Sequence, residues 1–363
     1  MRTTDKRRFH ALSIRVNPCS SAVLLIRGFG QGPAPLDTAQ GKVDTLNLEL
    51  LFDGGRSMRL RGLGEAGARE TVLVTGASTG LGLELARKLI RERYRLVLTA
   101  RASSMARFSA EGILAGDQVI LRPLDVTVAS ERAAVVAEVN DRWGGVDVLV
   151  NNAGVAYRAV VEHFREPEAR AQMEINFHGP MELIRLVLPR MRERRRGRII
   201  NVSSVGGMMA MPTMALYSAS KFALEGATEA LWYEVHPWNI HVSLVQPGFI
   251  HSASFLNTRF TALSRHAAAD PAAAYHGEYA HMDRLIARLM TRTGARPENV
   301  AAVIVRTMQR QRPPLRVPAT WDAHLFAWLR RLLPRQLYHG VLYRSLPYVR
   351  AWRRVGGEPE TKK

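Results

Sequence analysis

Short apolar segments alternate with longer amphipathic segments from residue 70 onward. Strand-like runs of branched apolar residues occur at 71–75, 94–100, 119–126, 146–154, 198–204 and 241–248. Segments with helical spacing lie between them, including one from about 128 to 143 and one ending near Met191. The strand-like runs are continuously apolar, which indicates that both faces of the sheet are covered. The pattern predicts an α/β fold, a single doubly wound parallel sheet with helices on both faces.

The regular pattern also divides the chain. Residues 1–69 lack sustained periodicity and are rich in Gly, Pro and Arg, which predicts a poorly ordered N-terminal extension. A second interpretation places the true start of the protein at Met58. Residues 70–320 are predicted to form one domain, in which the segment from about 250 to 295 interrupts the alternation. Helices are expected at 275–292 and 297–309, and a strand at 315–319.

Residues 321–363 are predicted to form a basic amphipathic C-terminal extension. Apolar residues recur there at helical spacing, with arginines between them: Trp321, Leu325, Trp328, Leu329 and Leu332, interrupted by Arg330 and Arg331. One interpretation packs this apolar stripe on the core or in a subunit interface. The other is a surface helix that makes weak peripheral contact with a membrane.

Composition narrows the classes of function. The chain of 363 residues has one cysteine, Cys19, which excludes an internal disulfide framework and a cysteine-based zinc site and fits a reducing, cytoplasmic setting. No apolar run reaches the ~18 residues that a membrane span needs. The net charge of +19 is spread along the chain without a recognisable nucleic-acid module. We therefore expect no metal centre and no sequence-specific nucleic-acid binding.

A glycine-rich turn, TGASTGLG (75–82), directly follows the first strand and opens a helix. Gly76 permits a tight turn, Gly80 lets the backbone approach a pyrophosphate, and Gly82 allows close helix–strand packing. The N–H groups of the helix N-terminus would face the phosphates. In this strand–turn–helix context the loop predicts dinucleotide binding and a Rossmann-like sheet.

The motif YSASK places Tyr217 and Lys221 four residues apart. On a helix this spacing puts both side chains on one face, where the lysine charge favours the phenolate and lowers the pKa of the phenol. Taken alone, the pair is also compatible with two accidental neighbours. The surrounding motifs decide between these interpretations.

These motifs resemble, in their order, those of the short-chain dehydrogenase/reductase family from about Thr71 to Ser252. TGASTGLG is similar to the cofactor loop, LDV (124–126) to the adenine-pocket stretch, NNAG (151–154) to the signature after the fourth strand, and QPGFI (246–250) to the turn beside the nicotinamide. The resemblance implies cofactor contacts from Gly76, Ser78, Thr79, Gly80, Leu81, Gly82, Arg101, Asp125, Val126, Asn152, Ala153, Gly154, Tyr217, Lys221, Pro247, Gly248, Ile250 and Ser252. It also implies a homo-oligomer.

The same resemblance implies a catalytic set of Asn176, Ser204, Tyr217 and Lys221. Tyr217 would be the general acid or base for hydride transfer between a carbonyl and an alcohol, and Lys221 would also hold the nicotinamide ribose. Ser204, thirteen residues before Tyr217, would donate a hydrogen bond to the substrate oxygen, with Ser203 as the alternative. Asn176 would hold a water that connects Lys221 to solvent.

The end of the second strand indicates which cofactor is preferred. It reads LTARASS, with Arg101 where an acidic residue would bind the ribose 2′-hydroxyl of NAD. A guanidinium binds a 2′-phosphate, so we predict NADP(H). Thr79 argues the other way, because many NADP-using relatives carry a second basic residue at that position.

The substrate is predicted to be a small molecule with a hydrophobic body, steroid-like, retinoid-like or fatty-acyl-like. The segment GGMMAMPTM (206–214) is rich in methionine, which suits an apolar pocket, and residues 250–295 occupy the place of a substrate lid. Two alternatives remain at this point: a non-catalytic dinucleotide-binding sensor or scaffold, and a membrane-associated lipid reductase.

Overall fold

The computed structural model describes residues 69–251, 258–346 and 352. Residues 1–68 of the predicted N-terminal extension, with Cys19 and Met58, and Ser252 therefore lie outside the described residues. No helix in the described ranges is long and apolar enough to cross a membrane. The same part of the chain holds no cluster of three or more His, Cys, Asp or Glu residues suited to a metal ion.

A seven-stranded sheet forms the centre of the structure, and all of its strand pairs are parallel. In chain order the strands are β1 (Thr71–Val74), β2 (Arg95–Ala100), β3 (Val119–Pro123), β4 (Val148–Asn151), β5 (Tyr157–Arg158), β6 (Gly197–Val202), β7 (Ile240–Gln246), β8 (Arg259–Phe260) and β9 (Arg316–Pro318). The large sheet has the order β3-β2-β1-β4-β6-β7-β9, while β5 and β8 form a separate parallel pair. The predicted doubly wound sheet is confirmed.

Helices connect these strands. They are α1 (Gly80–Ile90), α2 (Ala106–Ala110), α3 (Ala129–Trp143), α4 (Glu166–Met173), α5 (Gly179–Glu193), α6 (Ala215–Val235), α7 (Ala262–Ala269), α8 (His276–Arg292), α9 (Pro297–Gln309), α10 (Trp321–Leu332) and α11 (Arg335–Ser345). A π-helical turn, Glu174–His178, joins α4 to α5. The predicted segments at 128–143, 275–292 and 297–309 agree with α3, α8 and α9 to within one residue.

Two apolar layers cover the two faces of the sheet. Val72 and Val74 of β1 face one layer, in which Leu85 of α1 and Ile304 of α9 are fully buried. Leu73, between those two valines, faces the other layer, which α3, α5 and α6 complete. Successive strand residues point to opposite faces, so burial on both sides requires the continuous apolar runs seen in the sequence.

The strand order reverses between β1 and β4, because the chain builds β1, β2 and β3 outward in one direction and then returns. In open α/β sheets ligands bind at this point, outside the carboxyl ends of the strands. The loops that follow β1, β4, β6 and β7 all emerge at this edge. They contain the TGASTGLG, NNAG, Ser204 and QPGFI motifs respectively.

The C-terminal helix α10 packs on the protein through a face that the sequence pattern did not indicate. Ala323, Phe326 and Ala327 contact Met208 and Met209. The predicted stripe mostly points outward, with Trp321 78%, Trp328 59% and Leu332 55% exposed. The interpretation that packs the stripe on the core is therefore wrong for these three side chains. Of the stripe, only Leu329 joins the packed cluster.

Candidate active site

A cavity of about 880 Å³ opens at the carboxyl ends of the strands. The predicted site residues along its wall are Gly76, Ser78, Thr79, Leu81, Gly82, Arg101, Asp125, Val126, Asn152, Ala153, Gly154, Ser204, Tyr217, Lys221, Pro247, Gly248 and Ile250. Gly80 and Asn176 are not among its lining residues. Residues separated by more than 170 positions in the sequence thus share one cavity.

The glycine-rich turn approaches its neighbours too closely for side chains. Gly76 has φ +65°, which favours glycine. A Cβ on Gly82 would lie 2.6 Å from Asn152 Nδ2 and collide with the carbonyl oxygen of Gly76. The helix that follows, α1, has no acidic residue in its first turn, and the Thr79 side chain does not cap it. Its first N–H groups are therefore suited to an anion such as a pyrophosphate.

The NNAG motif holds this turn in place. Asn152 Nδ2 donates to the carbonyl oxygens of Thr75 (2.9 Å) and Gly76 (3.1 Å). The backbone N–H groups of Asn152 and Ala153 both donate to Thr75 Oγ1 at 3.0 Å. Hydrogen bonds to backbone and side chain thus fix the loop after β1 against the loop after β4.

Basic side chains line the cavity where β2 ends. Arg101 and Arg107 are exposed there, with Ser104 between them. Neither arginine forms an ion pair within the ranges that the structure describes. Arg107, which the sequence reasoning missed, follows the short 3₁₀ turn Ala102–Ser104 and lines the same cavity as Arg101. Asp125 also lines this region, and its carboxylate accepts hydrogen bonds from Thr127 N (2.9 Å) and Oγ1 (2.7 Å).

Tyr217 lies in the first turn of α6, opposite the end of β6. A Cβ on Gly206 would lie 2.9 Å from Tyr217 Cε1 and 3.5 Å from Ser204 Oγ, so the ring packs directly against backbone. Burial raises the pKa of the Tyr217 phenol, and a hydrogen bond with Ser204 acts to lower it. Lys221 is not among the causes of this pKa shift. The lowering of the phenol pKa by the Lys221 charge acting together with oxidised nicotinamide stays a prediction.

The two candidate serines have different partners. Ser204 Oγ accepts from the Gly206 N–H at 3.0 Å, and it lies close enough to the Tyr217 phenol to act on its pKa. Ser203 is buried, and its Oγ donates to Glu225 Oε1 at 2.8 Å. Only Ser204 therefore has its hydroxyl next to the phenol.

Lys221 is buried one turn further along α6. Its Nζ donates to the Val202 carbonyl at 2.9 Å. Burial lowers the pKa of the Lys221 ammonium to about 8, and the negative charge of Glu225 acts in the opposite direction. Lys221 is consequently still mostly a cation near neutral pH, although it holds its proton more weakly than an exposed lysine.

Glu225 is a further residue that the sequence reasoning missed. It is buried four residues after Lys221, and Oε1 also accepts from Gln246 Nε2 at 2.7 Å. Burial raises the pKa of this carboxyl, while its hydrogen bonds act to lower it. The i, i+4 spacing from Lys221 was a usable signal. Glu225 ties α6 to the ends of β6 and β7.

Asn176 lies in the π-helical turn, fully buried. Its Oδ1 accepts from Val155 N at 2.9 Å, and its Nδ2 donates to Val155 O at 2.9 Å and Ser220 Oγ at 3.0 Å. A Cβ on Gly154 would lie 3.4 Å from Asn176 Oδ1 and 3.8 Å from Lys221 Nζ. Asn176 therefore clamps the loop after NNAG beside Lys221, and protein groups occupy its amide.

The remaining wall of the cavity is largely apolar. Methionine and other apolar side chains line it, namely Met211, Met214, Phe249, Ile286 and Met290. Ile286 and Met290 come from α8, within the segment predicted as a lid. Arg158 also lines this part; it is 3% exposed and forms an ion pair with Asp283 of α8.

Several known proteins are similar to this chain. A family model described as short chain dehydrogenase matches residues 70–261. The 3-ketodihydrosphingosine reductase of Bacteroides thetaiotaomicron is 36% identical over 247 residues, which are 68% of this chain and 86% of that protein. Retinol dehydrogenase 8 of Bos taurus is 36% identical over 259 residues, 69% of this chain and 81% of that protein.

Solved structures give the same result. A short-chain dehydrogenase from Streptomyces avermitilis has a TM-score of 0.64 and 31% identity, with 77% of this chain and all of that chain covered. A metagenomic short-chain oxidoreductase in complex with NADP has a TM-score of 0.53 and 27% identity, with 69% and 96% covered. The chain belongs to the short-chain dehydrogenase/reductase family of NAD(P)-dependent oxidoreductases.

Proposed function

We propose that the protein is an NADP(H)-dependent oxidoreductase that interconverts a carbonyl and an alcohol on a hydrophobic small molecule. The observation that carries this proposal is the meeting of Ser204, Tyr217 and Lys221 in one cavity with the glycine-rich turn. A protein that only binds a dinucleotide has no need of a phenol beside a serine hydroxyl and a buried lysine.

The cofactor would lie along the carboxyl edge of the sheet. The turn at Gly76 and the N-terminus of α1 would hold the pyrophosphate, and Arg101 with Arg107 would bind the 2′-phosphate of NADP. Arg107 supplies the second cation that position 79 lacks. The structural neighbour that contains NADP supports this choice.

The nicotinamide, when bound, supplies a hydride to the carbonyl carbon or accepts one from the alcohol carbon. In reduction, Tyr217 Oη donates its proton to the substrate oxygen as negative charge develops there. Ser204 Oγ donates a hydrogen bond to the same oxygen, and the Lys221 ammonium stabilises the phenolate that remains. The raised pKa of Tyr217 keeps the proton available at neutral pH. Oxidation is the reverse sequence.

The substrate class follows from the apolar wall. Met211, Met214 and Met290 offer unbranched, adaptable side chains that suit a long or bulky hydrocarbon body. The names of two relatives, a 3-ketodihydrosphingosine reductase and a retinol dehydrogenase, both point to substrates with long apolar chains. We place the substrate among steroid-like, retinoid-like and fatty-acyl-like carbonyls or alcohols.

A panel of such carbonyls and alcohols, followed by the fluorescence of NADPH, tests this function. We expect turnover by the wild type and a loss of kcat on the order of 10²–10⁴ in Tyr217→Phe, with NADPH affinity nearly unchanged. Undiminished turnover in Tyr217→Phe would refute the mechanism. Tight NADPH binding without turnover of any panel member by the wild type would favour a non-catalytic sensor.

A further inference from the structure

Six of the thirteen most exposed large apolar side chains in the described part of the chain lie within residues 321–343. On α10 these are Trp321, Trp328 and Leu332, which with the half-buried Leu325 follow the spacing of one helix face. On α11 they are Leu337, Val341 and Tyr343, between 49% and 58% exposed. We call these seven residues the outer face.

The outer face is distinct from the face that holds the two helices on the protein. Ala323 and Phe326 of α10 and Tyr338 and Leu342 of α11 pack into one cluster with the methionines that follow Ser204. Both helices therefore carry exposed apolar side chains besides those that pack on the protein, and the folding of the described chain buries only the packed set. Exposed apolar side chains grouped on two neighbouring helices are typical of a contact with another molecule or a membrane.

The segment that carries the outer face is basic. Residues 321–346 contain four arginines, at 330, 331, 335 and 344, and a single acid, Asp322. Arg331 and Arg344 are exposed and form no ion pair with any described residue. Asp322 does not compensate them, since its Oδ2 accepts from the Phe249 N–H at 2.8 Å on the inner side.

Exposed apolar side chains beside exposed arginines favour a membrane surface over a second copy of the chain as the partner. A second copy of the chain bound through the same face would bring arginines against arginines, because a two-fold interface pairs a patch with itself. Exposed tryptophan, leucine and tyrosine beside arginine are instead the composition of helices that lie in a membrane interface. We propose that the outer face of α10 and α11 docks on a bilayer surface that contains anionic lipid.

Docking there would bring the bilayer near the cavity. Thr320, at the start of α10, accepts from the Gly248 N–H at 2.8 Å, and Gly248 lines the cavity. Arg330 reaches back to the carbonyl of Met208, and Leu346 and Trp352 pack beside Met211 and Met290. The inner side of the docking helices is thus part of the structure around the substrate wall, which suits a substrate drawn from a membrane. The docking itself does not depend on the proposed reaction.

Sedimentation with lipid vesicles tests the proposal on the full chain. We expect binding to vesicles of equal parts phosphatidylcholine and phosphatidylserine to be at least about tenfold tighter than to phosphatidylcholine alone, and to weaken with salt. Trp321→Ala/Trp328→Ala and Arg331→Glu/Arg344→Glu should each weaken it by about tenfold or more. Tyr233→Ala, which removes a 63% exposed aromatic from α6, is the matched control and should bind as the wild type does.

Thermal unfolding and NADPH binding report whether each variant is folded. The proposal would be overturned if the wild-type protein bound vesicles with phosphatidylserine no more tightly than vesicles without it. It would also be overturned if the double variants bound as tightly as the wild type. A wild-type dimer that does not bind vesicles and that Trp321→Ala/Trp328→Ala converts to monomers would overturn it as well, because the outer face would then belong to a second copy.

Discussion

The Tyr217 ring packs against Gly206, where no side chain would fit. A Cβ on Gly206 would lie 2.9 Å from Cε1 and 3.2 Å from Cδ1 of the ring. The same residue donates its N–H to Ser204. Phenol and serine hydroxyl therefore depend on one glycine for their relative position, and small displacements of catalytic groups have large effects on rate.

Gly206→Ala should lower kcat by about tenfold or more, because the methyl group displaces the Tyr217 ring. NADPH affinity should change little. Gly226→Ala on α6 is the matched control: apart from its chain neighbours and the backbone of its own helix, no atom lies within 4 Å of a Cβ there, so activity should be unchanged and the free energy of unfolding should rise by about 0.5–1 kcal/mol. Equal kcat in the two variants would contradict the packing argument.

Lys221 should make the free energy of unfolding of the protein without cofactor depend on pH. Its pKa is about 8 when folded against an ordinary 10.5, so between these values the unfolded chain binds more protons. The free energy of unfolding should therefore gain up to about 3 kcal/mol from this group as pH rises through that window. Below pH 8 the cost of the buried charge is fully present.

Urea unfolding at about pH 7 and about pH 9.5 measures this dependence. Lys221→Met lacks the titration, so the stability of the wild type relative to this variant should increase with pH. A difference that stays constant, or that decreases, would show that Lys221 does not lose its proton more readily in the folded protein.

Among the secondary-structure elements, α8 forms part of the apolar cavity wall and is attached through a buried charge. The Arg158 guanidinium pairs with Asp283 of α8, and its Nε donates to Thr213 Oγ1 at 3.4 Å. Burial lowers the pKa of Arg158, which the nearby Asp283 carboxylate opposes. The α8 residue Tyr279 adds a second attachment, because its hydroxyl accepts from Val160 N at 2.9 Å.

Asp283→Asn should destabilise the protein by about 2 kcal/mol, less than for a wholly buried pair because Asp283 is half exposed. Hydrogen exchange should increase within α8. Arg158→Met/Asp283→Leu replaces both charges by apolar groups and should recover most of the loss. A double variant as unstable as the single one would mean that the ion pair itself, rather than the uncompensated arginine, determines stability.

The elements also show which parts of the secondary structure a periodic apolar pattern can predict. Long continuous segments such as α3, α8 and α9 were predicted to within a residue, because their apolar spacing follows from helix geometry. The strands β5 and β8 have two residues each, too few for a period to appear. The π-helical turn at Asn176 leaves no trace in the apolar spacing either.

At the scale of the whole molecule, cofactor binding should stabilise the fold, because the glycine-rich turn, β2 and α6 all contribute to one cavity. A ligand at about a hundred times its Kd adds about 2.7 kcal/mol to the free energy of unfolding. Because Arg101 and Arg107 are expected to make NADPH the tighter ligand, NADPH should raise Tm more than NADH at equal concentration.

Arg101→Ala and Arg107→Ala should each weaken NADPH binding by about tenfold and leave NADH binding nearly unchanged, because each removes a charge-assisted hydrogen bond to the 2′-phosphate. Isothermal titration of both nucleotides measures this. Arg93→Ala, an exposed arginine after α1, is the control. A wild type that prefers NADH would refute the assignment of these two arginines.

The sequence by itself determined the doubly wound sheet, since continuous apolar strands can exist only between two covering layers, and it determined the family through motifs whose order chance does not produce. It also indicated which residues follow the strands at the binding edge. Tertiary structure alone decided that Arg107 joins Arg101, that Ser203 is bound to Glu225, and that the outer face of α10 stays exposed. The physical reason is that these depend on how turns and packing place side chains in space, or on which of two apolar helix faces finds a partner, and the local spacing of apolar residues contains neither.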